Sequence, residues 1–181
     1  DGADDPATLS LVYADWSRTA HRQGQATRAD QMARRALELA QAAADPAALA
    51  QAYNVMGILA RAGGDLPTAI GRLEDSLAAA RQAAAPEAQI AALNNLSLAY
   101  ADRDALNIAI ARAGEALELC LLLGDRHREA ALHNNIADLY HAAGREEEAM
   151  SHLKQAVVIF AEIGDGSEER VSPEIWKLSE W

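Results

Sequence analysis

Apolar and polar positions along the chain recur at helical spacing, and the recurrence itself repeats. Small residues stand at Ser17, Gly57, Ser97 and Ala137. Three residues later come Ala20, Ala60, Tyr100 and Tyr140, and twelve after the small position lie Ala29, Ala69, Ala109 and Ala149. The interval is 40 residues each time, and a fixed period of that order is the mark of a repeat array. Boundary residues keep the same interval. Asp5-Pro6, Asp45-Pro46 and Ala85-Pro86 fall in register with Asp125-Arg126, while Gly24, Gly64 and Gly144 mark a break halfway through a unit.

Asp followed by Pro predicts a helix start, because the carboxylate accepts a free backbone amide and Pro fits the first turn, where its missing N–H is not needed. Glycine near the middle of each unit supplies the left-handed conformation that ends a helix. Four units follow, at about 5–44, 45–84, 85–124 and 125–164, each with two helices. The predicted helices are 6–23 and 25–43, 46–62 and 65–84, 86–102 and 104–123, and 126–143 and 145–163. In the third unit Arg103-Asp104 stands where glycine stands elsewhere. Within a unit, the small residue of the first helix admits the alanine of the second. Larger side chains such as Leu96, Leu117, Ile136 and Val157 are expected to close the space between layers.

After Asp165 the period breaks. Gly166 to Arg170 reads as a polar linker, and Ser172-Pro173 then has the grammar of another helix start. Ile175, Trp176 and Leu178 would share one apolar stripe. An open solenoid needs its last apolar face covered, so residues 166–181 are expected to hold a linker and a short capping helix, with a docking peptide for a partner as the alternative. The chain opens at Asp1 with no methionine, which suggests a segment of a longer protein.

The composition fits a layered stack. Half of the residues are apolar, with only one Phe, three Trp and four Tyr among them, so small side chains bring backbones together and stability is spread along the chain. A net charge of -11 argues against nucleic acid, which needs clustered Lys and Arg, and against an anionic membrane surface. No apolar run approaches the length of a membrane span and no signal segment opens the chain, so a cytoplasmic location is expected. The single cysteine, Cys120, lies in an apolar run and is read as a small buried hydrophobe.

The residues at these rungs resemble the tetratricopeptide repeat. That family's pattern of aromatic or Leu, Leu, Gly or Ala, Tyr, and then Ala on the second helix is answered by Leu93, Leu96, Ser97, Tyr100 and Ala109, and again by His133, Ile136, Ala137, Tyr140 and Ala149. The 40-residue period exceeds the family's usual length of about 34. The longer form resembles kinesin light chains and the sensor segments of bacterial ATP-binding regulators; the stretch from Leu123 through Asn134-Asn135 to Ala149 looks most like the latter. The resemblance implies an all-α fold, a right-handed α-α superhelix of four helix pairs, to which the tail would add its capping helix.

Catalytic and cofactor motifs are missing. No phosphate-binding glycine loop, HExxH, paired CxxC or GxSxG turn occurs, and of the five histidines only His133 and His141 fall near one helical face, too far apart to chelate an ion. No enzyme activity, cofactor or metal is expected. The positive signal is a row of asparagines. Asn54, Asn94 and Asn134 repeat at the period, with Asn95 and Asn135 beside two of them. Asparagine is a mediocre helix former, so five at equivalent sites need a reason. The resemblance places first helices along a concave groove, where amides can donate to and accept from the backbone of an extended peptide. The alternative is that they bridge adjacent repeats. Arg61, Asp138 and His141 complete the candidate groove, with Arg18, Arg22 and Asp102 on the same face. The family's readers of chaperone C-termini use a basic cluster that this groove does not have beyond Arg18, Arg22 and Arg61. The expected function is therefore a protein–protein interaction module holding a peptide or protein segment, within a larger regulatory protein. A self-association scaffold and a ligand-sensing domain of an ATP-dependent signalling or transcription regulator are the alternatives, and the first of these makes a homo-oligomer an open question.

Overall fold

The structure, a computed structural model, describes residues 5–164. The predicted linker and capping helix at 166–181, with Ile175, Trp176 and Leu178, lie outside the described residues. Within them the fold is all-α: α1 (Pro6–Arg22), α2 (Ala26–Ala43), α3 (Pro46–Ala62), α4 (Leu66–Gln82), α5 (Pro86–Asp102), α6 (Leu106–Leu123), α7 (Arg126–Ala142) and α8 (Glu146–Gly164). Every helix end lies within two residues of the position expected from the period.

The starts form as the aspartates dictate. Asp5 accepts the amide of Thr8 at 3.0 Å, Asp45 that of Ala48 at 2.7 Å and Asp125 that of Arg128 at 3.0 Å. Asp65 does the same for the second helix of its repeat through Thr68 at 3.2 Å. The mid-repeat turns share one hydrogen bond that recurs with the period: Gln25 N to Ala20 O, Asp65 N to Ala60 O, Ala105 N to Tyr100 O and Arg145 N to Tyr140 O, all at 2.8–2.9 Å. Such a turn requires a left-handed residue. Gly24, Gly64 and Gly144 supply it, and Asp104 takes the same conformation at φ 61°. At the boundaries after the first and second repeats, alanine does so, Ala44 and Ala84 both at φ 49°.

The chain divides within α5 into two compact units, Asp1–Ala99 and Tyr100–Trp181. In the first, α1 pairs with α2 and α3 with α4, and backbone approach is set by two rungs per pair. Ser17 Oγ donates to the carbonyl of Ala29 at 2.7 Å and Ser10 Oγ to that of Ala36 at 2.8 Å, all four residues buried. Most buried hydroxyls are hydrogen-bonded, and at this range the facing backbone supplies the acceptor for these two. In the second pair the outer rung is reversed. Ser76, one period after Ala36, donates back to the carbonyl of Ala50, one period after Ser10, at 2.8 Å. The inner rung is exchanged in size. Gly57 takes the place of Ser17, and Leu73 the place of Ala33; a Cβ on Gly57 would stand 2.5 Å from Leu73 Cγ.

Between the first and second repeats the buried contact is apolar. Ala14, Ala33, Ala36, Ala40, Ala48, Ala52 and Val55 form one buried cluster against which Leu37, Met56 and Leu59 pack. The second unit repeats this with Ala109, Ala113, Ile136 and Leu139, flanked by Ile110, Leu117, Tyr100 and Tyr140. Leu96 and Ile136 are buried as expected of layer-closing residues, whereas Val157 is exposed. It lies on α8, and among the described residues no helix follows to cover it.

This geometry bears on stability at two places. Gly57→Ala gains helix propensity worth about 1 kcal/mol but overpacks Leu73 at about 1–3 kcal/mol, so urea unfolding should record a net loss. In a Leu73→Ala background the same substitution should become stabilising, since the pair then matches Ser17 and Ala33. Separately, Ala84→Gly should raise stability by about 1 kcal/mol by relieving a left-handed alanine, shifting the melting temperature by about 2–4 °C. Asp104→Gly should do so less, because Asp tolerates that conformation.

Candidate functional site

In the first unit a polar row runs across the first helices. Gln51 Nε2 on α3 donates to Asp15 Oδ1 on α1 at 3.1 Å, and Asp15 is also paired with Arg18. From α5, Asn95 Nδ2 donates to Asn54 Oδ1 on α3 at 3.0 Å, and both side chains are buried. The residues one period earlier, Val55 and Ala14, belong to one apolar cluster. The same cross-repeat position is thus filled by a methyl contact at one junction and by an amide hydrogen bond at the next. Neutral buried amides pay their desolvation only when paired, which is why Asn54 and Asn95 occur together.

Of the eight candidate residues, Asn54, Asn94, Asn95 and Asn135 are buried, Arg61 and Asn134 are half-buried, and Asp138 and His141 are exposed. The structure brings Asn54 and Asn95 into contact in the bridging arrangement. With Asn95 only 2% exposed, that amide offers little surface to a ligand. In the second unit, Asn134 and Asn135 sit on α7 one turn before Asp138, and His141 lies in the last turn of the helix with its Nδ1 2.9 Å from Glu146 Oε1. Asp138 is exposed as a residue, yet the partial burial of its carboxyl raises its pKa, with His141 opposing.

A second cluster joins α7 to α8. His133 Nδ1 lies 2.9 Å from His152 Nδ1, the two rings are 5.0 Å apart, and His152 stacks on Tyr140 at 5.4 Å. Arg145 covers Tyr140 at 4.5 Å. Helical spacing pairs His133 with His141 on one face and misses His152, which lies on the next helix and meets His133 only through the hairpin. Burial lowers the pKa of both histidines, and for His133 the neighbouring His152 lowers it further, with Glu129 opposing. The contact needs one Nδ1–H and one Nδ1 lone pair, so two imidazolium ions cannot share it.

Among the described residues no group of three or more His, Cys, Asp or Glu side chains could hold a metal ion, and no helix is long and apolar enough to cross a membrane. Cys120 is buried and its thiol is pushed up to about 11, by burial first and then by Asp125. A thiol at that value is not a nucleophile at neutral pH.

The histidine pair has a measurable consequence. Both folded pKa values lie below the ordinary 6.5, so the unfolded chain binds protons first and stability must fall as pH drops through about 6.5 toward the folded values. Equilibrium unfolding between pH 7.5 and 5 should register that loss, and His152→Gln should flatten it.

The tetratricopeptide repeat family profile matches residues 89–162. No curated protein matches the sequence. Among solved structures, BtubC (BKLC) from P. vanneervenii aligns at a TM-score of 0.78 and 19% identity, covering 92% of this chain and 68% of that one. Aspartyl phosphate phosphatase F from Bacillus subtilis aligns at 0.81 and 15% identity, covering 90% of this chain. A signal transduction ATPase with numerous domains and a tetratricopeptide repeat sensor, from Pyrococcus horikoshii, aligns at 0.76 and 16%, covering 91%. The chain spans 43% of the phosphatase and 26% of the ATPase. At these identities the likeness is one of fold. The tetratricopeptide repeat profile thus accounts for residues 89–162, and the solved structures extend the likeness of fold to the helix pairs before them.

Proposed function

We propose that this chain is a non-catalytic module that holds an extended polypeptide segment against the polar faces of its first helices, as part of a larger cytoplasmic regulatory protein. The tetratricopeptide fold is a protein–protein interaction module in general; the peptide, the groove and the regulatory setting are the proposal. The observation that carries it is the hydrogen bond between Asn95 and Asn54. It fixes the spacing of two first helices with a polar group where an apolar one would serve packing equally well, as Val55 and Ala14 demonstrate one junction earlier. A polar row held at fixed spacing presents its flanking groups to a peptide without the cost of ordering them on binding.

Exposed and half-exposed groups then make the contacts. In the first unit these are Gln51, Arg18 and Arg61, and in the second Asn134, Asp138 and His141. Donors and acceptors are mixed, which suits a peptide backbone more than a single charged terminus. Asn94 and Asn135 belong to the same proposal as part of the frame. One similar structure is a signal transduction ATPase with a tetratricopeptide repeat sensor. This favours, as a second and compatible reading, a sensing segment whose occupancy controls a site elsewhere in a multidomain regulator.

Two measurements test the proposal. A displayed library of random peptides panned against the chain should yield sequences whose affinity falls about 10- to 100-fold with Arg61→Ala or Asp138→Ala, as expected for lost hydrogen bonds to charged groups, while Arg34→Ala on α2 leaves it unchanged. No enrichment, or ligands indifferent to Arg61 and Asp138, would sink the idea. The second separates frame from contact. Asn95→Ala should cost about 1–3 kcal/mol by stranding its partner, and the pair Asn54→Ala with Asn95→Val should recover much of that loss. If binding returns with stability, the amides act as frame; if it stays lost, they touch the ligand.

A further inference from the structure

The junction between successive repeats has two halves. One is the outward face of a second helix, represented by Leu37 on α2 and by Ile110 and Leu117 on α6. The other is the face of the following first helix, represented by Ala52 and Met56 on α3 and by Ile136 on α7. On the first and the last described helix each half stands open. On α1, Val12 and Trp16 occupy the positions of Ala52 and Met56 and are 38% and 55% exposed. On α8, Met150 and Val157 occupy the positions of Ile110 and Leu117 and are 51% and 52% exposed.

Large apolar side chains one helical turn apart are seldom left in water without a use. Trp16 is the clearest case, because its counterparts Leu96 and Ile136 are buried. Val12 and Trp16 form an i, i+4 pair on one face, as do Met150, Lys154, Val157 and Val158 along another. The surface that covers the first face, wherever it recurs inside the chain, is the second face.

We propose that the two ends join copies of this chain head to tail, with Val12 and Trp16 of one copy seated on Met150 and Val157 of the next. The occupant is a second copy because that contact continues a junction the chain already builds twice within itself, with a tryptophan in place of methionine or isoleucine. The joint is heterologous, so copies add in a row wherever the rotation between them does not close a ring. It uses the first and last helices and leaves the polar faces of the proposed groove untouched, so it stands or falls independently of peptide binding.

Analytical ultracentrifugation of the full chain, from low micromolar to near-millimolar concentration at physiological salt, tests this. The weight-average mass should climb past the dimer without a plateau. Trp16→Glu and Val157→Glu should each keep the helical circular dichroism and remain monomeric, because each has lost one end. Mixed in equal amounts, they should form a dimer and stop there, through the two intact ends. A wild-type monomer at every concentration would overturn the proposal and leave the α8 face to residues 165–181 or to another protein. Variants that fail to complement would overturn it in favour of like-on-like pairing.

Discussion

Two helices can approach backbone to backbone only where no side chain stands between them, and nearly everything else in this molecule depends on that constraint being met within each helix pair. Serine, glycine and alanine meet it in different ways. At Ser17, Ser10 and Ser76 the buried hydroxyl is satisfied inside an apolar layer by the facing carbonyl of Ala29, Ala36 and Ala50. Where the small residue is glycine, the space goes to Leu73 from the opposite helix. Close approach then leaves the larger residues to face the next repeat instead of their own partner helix, and the apolar clusters form between layers.

This division of labour explains the polar row. Since packing within a pair is handled by small residues and the layer between the first and second repeats by the cluster around Val55 and Ala52, not every first-helix position need be apolar. Asn54 and Asn95 use that freedom for a hydrogen bond, and Asp15, Gln51 and Arg18 for a network of their own. The numerous ion pairs between residues three or four apart, such as Asp30 with Arg34 and Arg35 with Glu38, lie on exposed helix surfaces and add little to stability.

Much of the fold was legible because its determinants are local. An aspartate needs only the next three residues to cap a helix, and a glycine only itself to turn left-handed, so the period located every helix end within two residues. Asp104 was legible as a position and not as a conformation, since a non-glycine residue in that region is held there by the turn's hydrogen bonds. The site was less legible. The recurrence of Asn54 and Asn95 was plain, but whether an amide meets a partner or a ligand depends on a neighbour contributed by the next repeat. His152 could not be assigned to His133 without the crossing of α7 and α8. Register alone marks Val157 as a residue that closes a layer, and register carries no information on whether a further layer exists.

The reversed and exchanged rungs have an evolutionary reading. Exchange at the level of single helices would set Ser17 against Leu73, where there is no room for a β-carbon. Whole hairpins, moved together, carry both halves of each match. Two repeats that look alike in profile can therefore each be intact while their separate halves are not interchangeable.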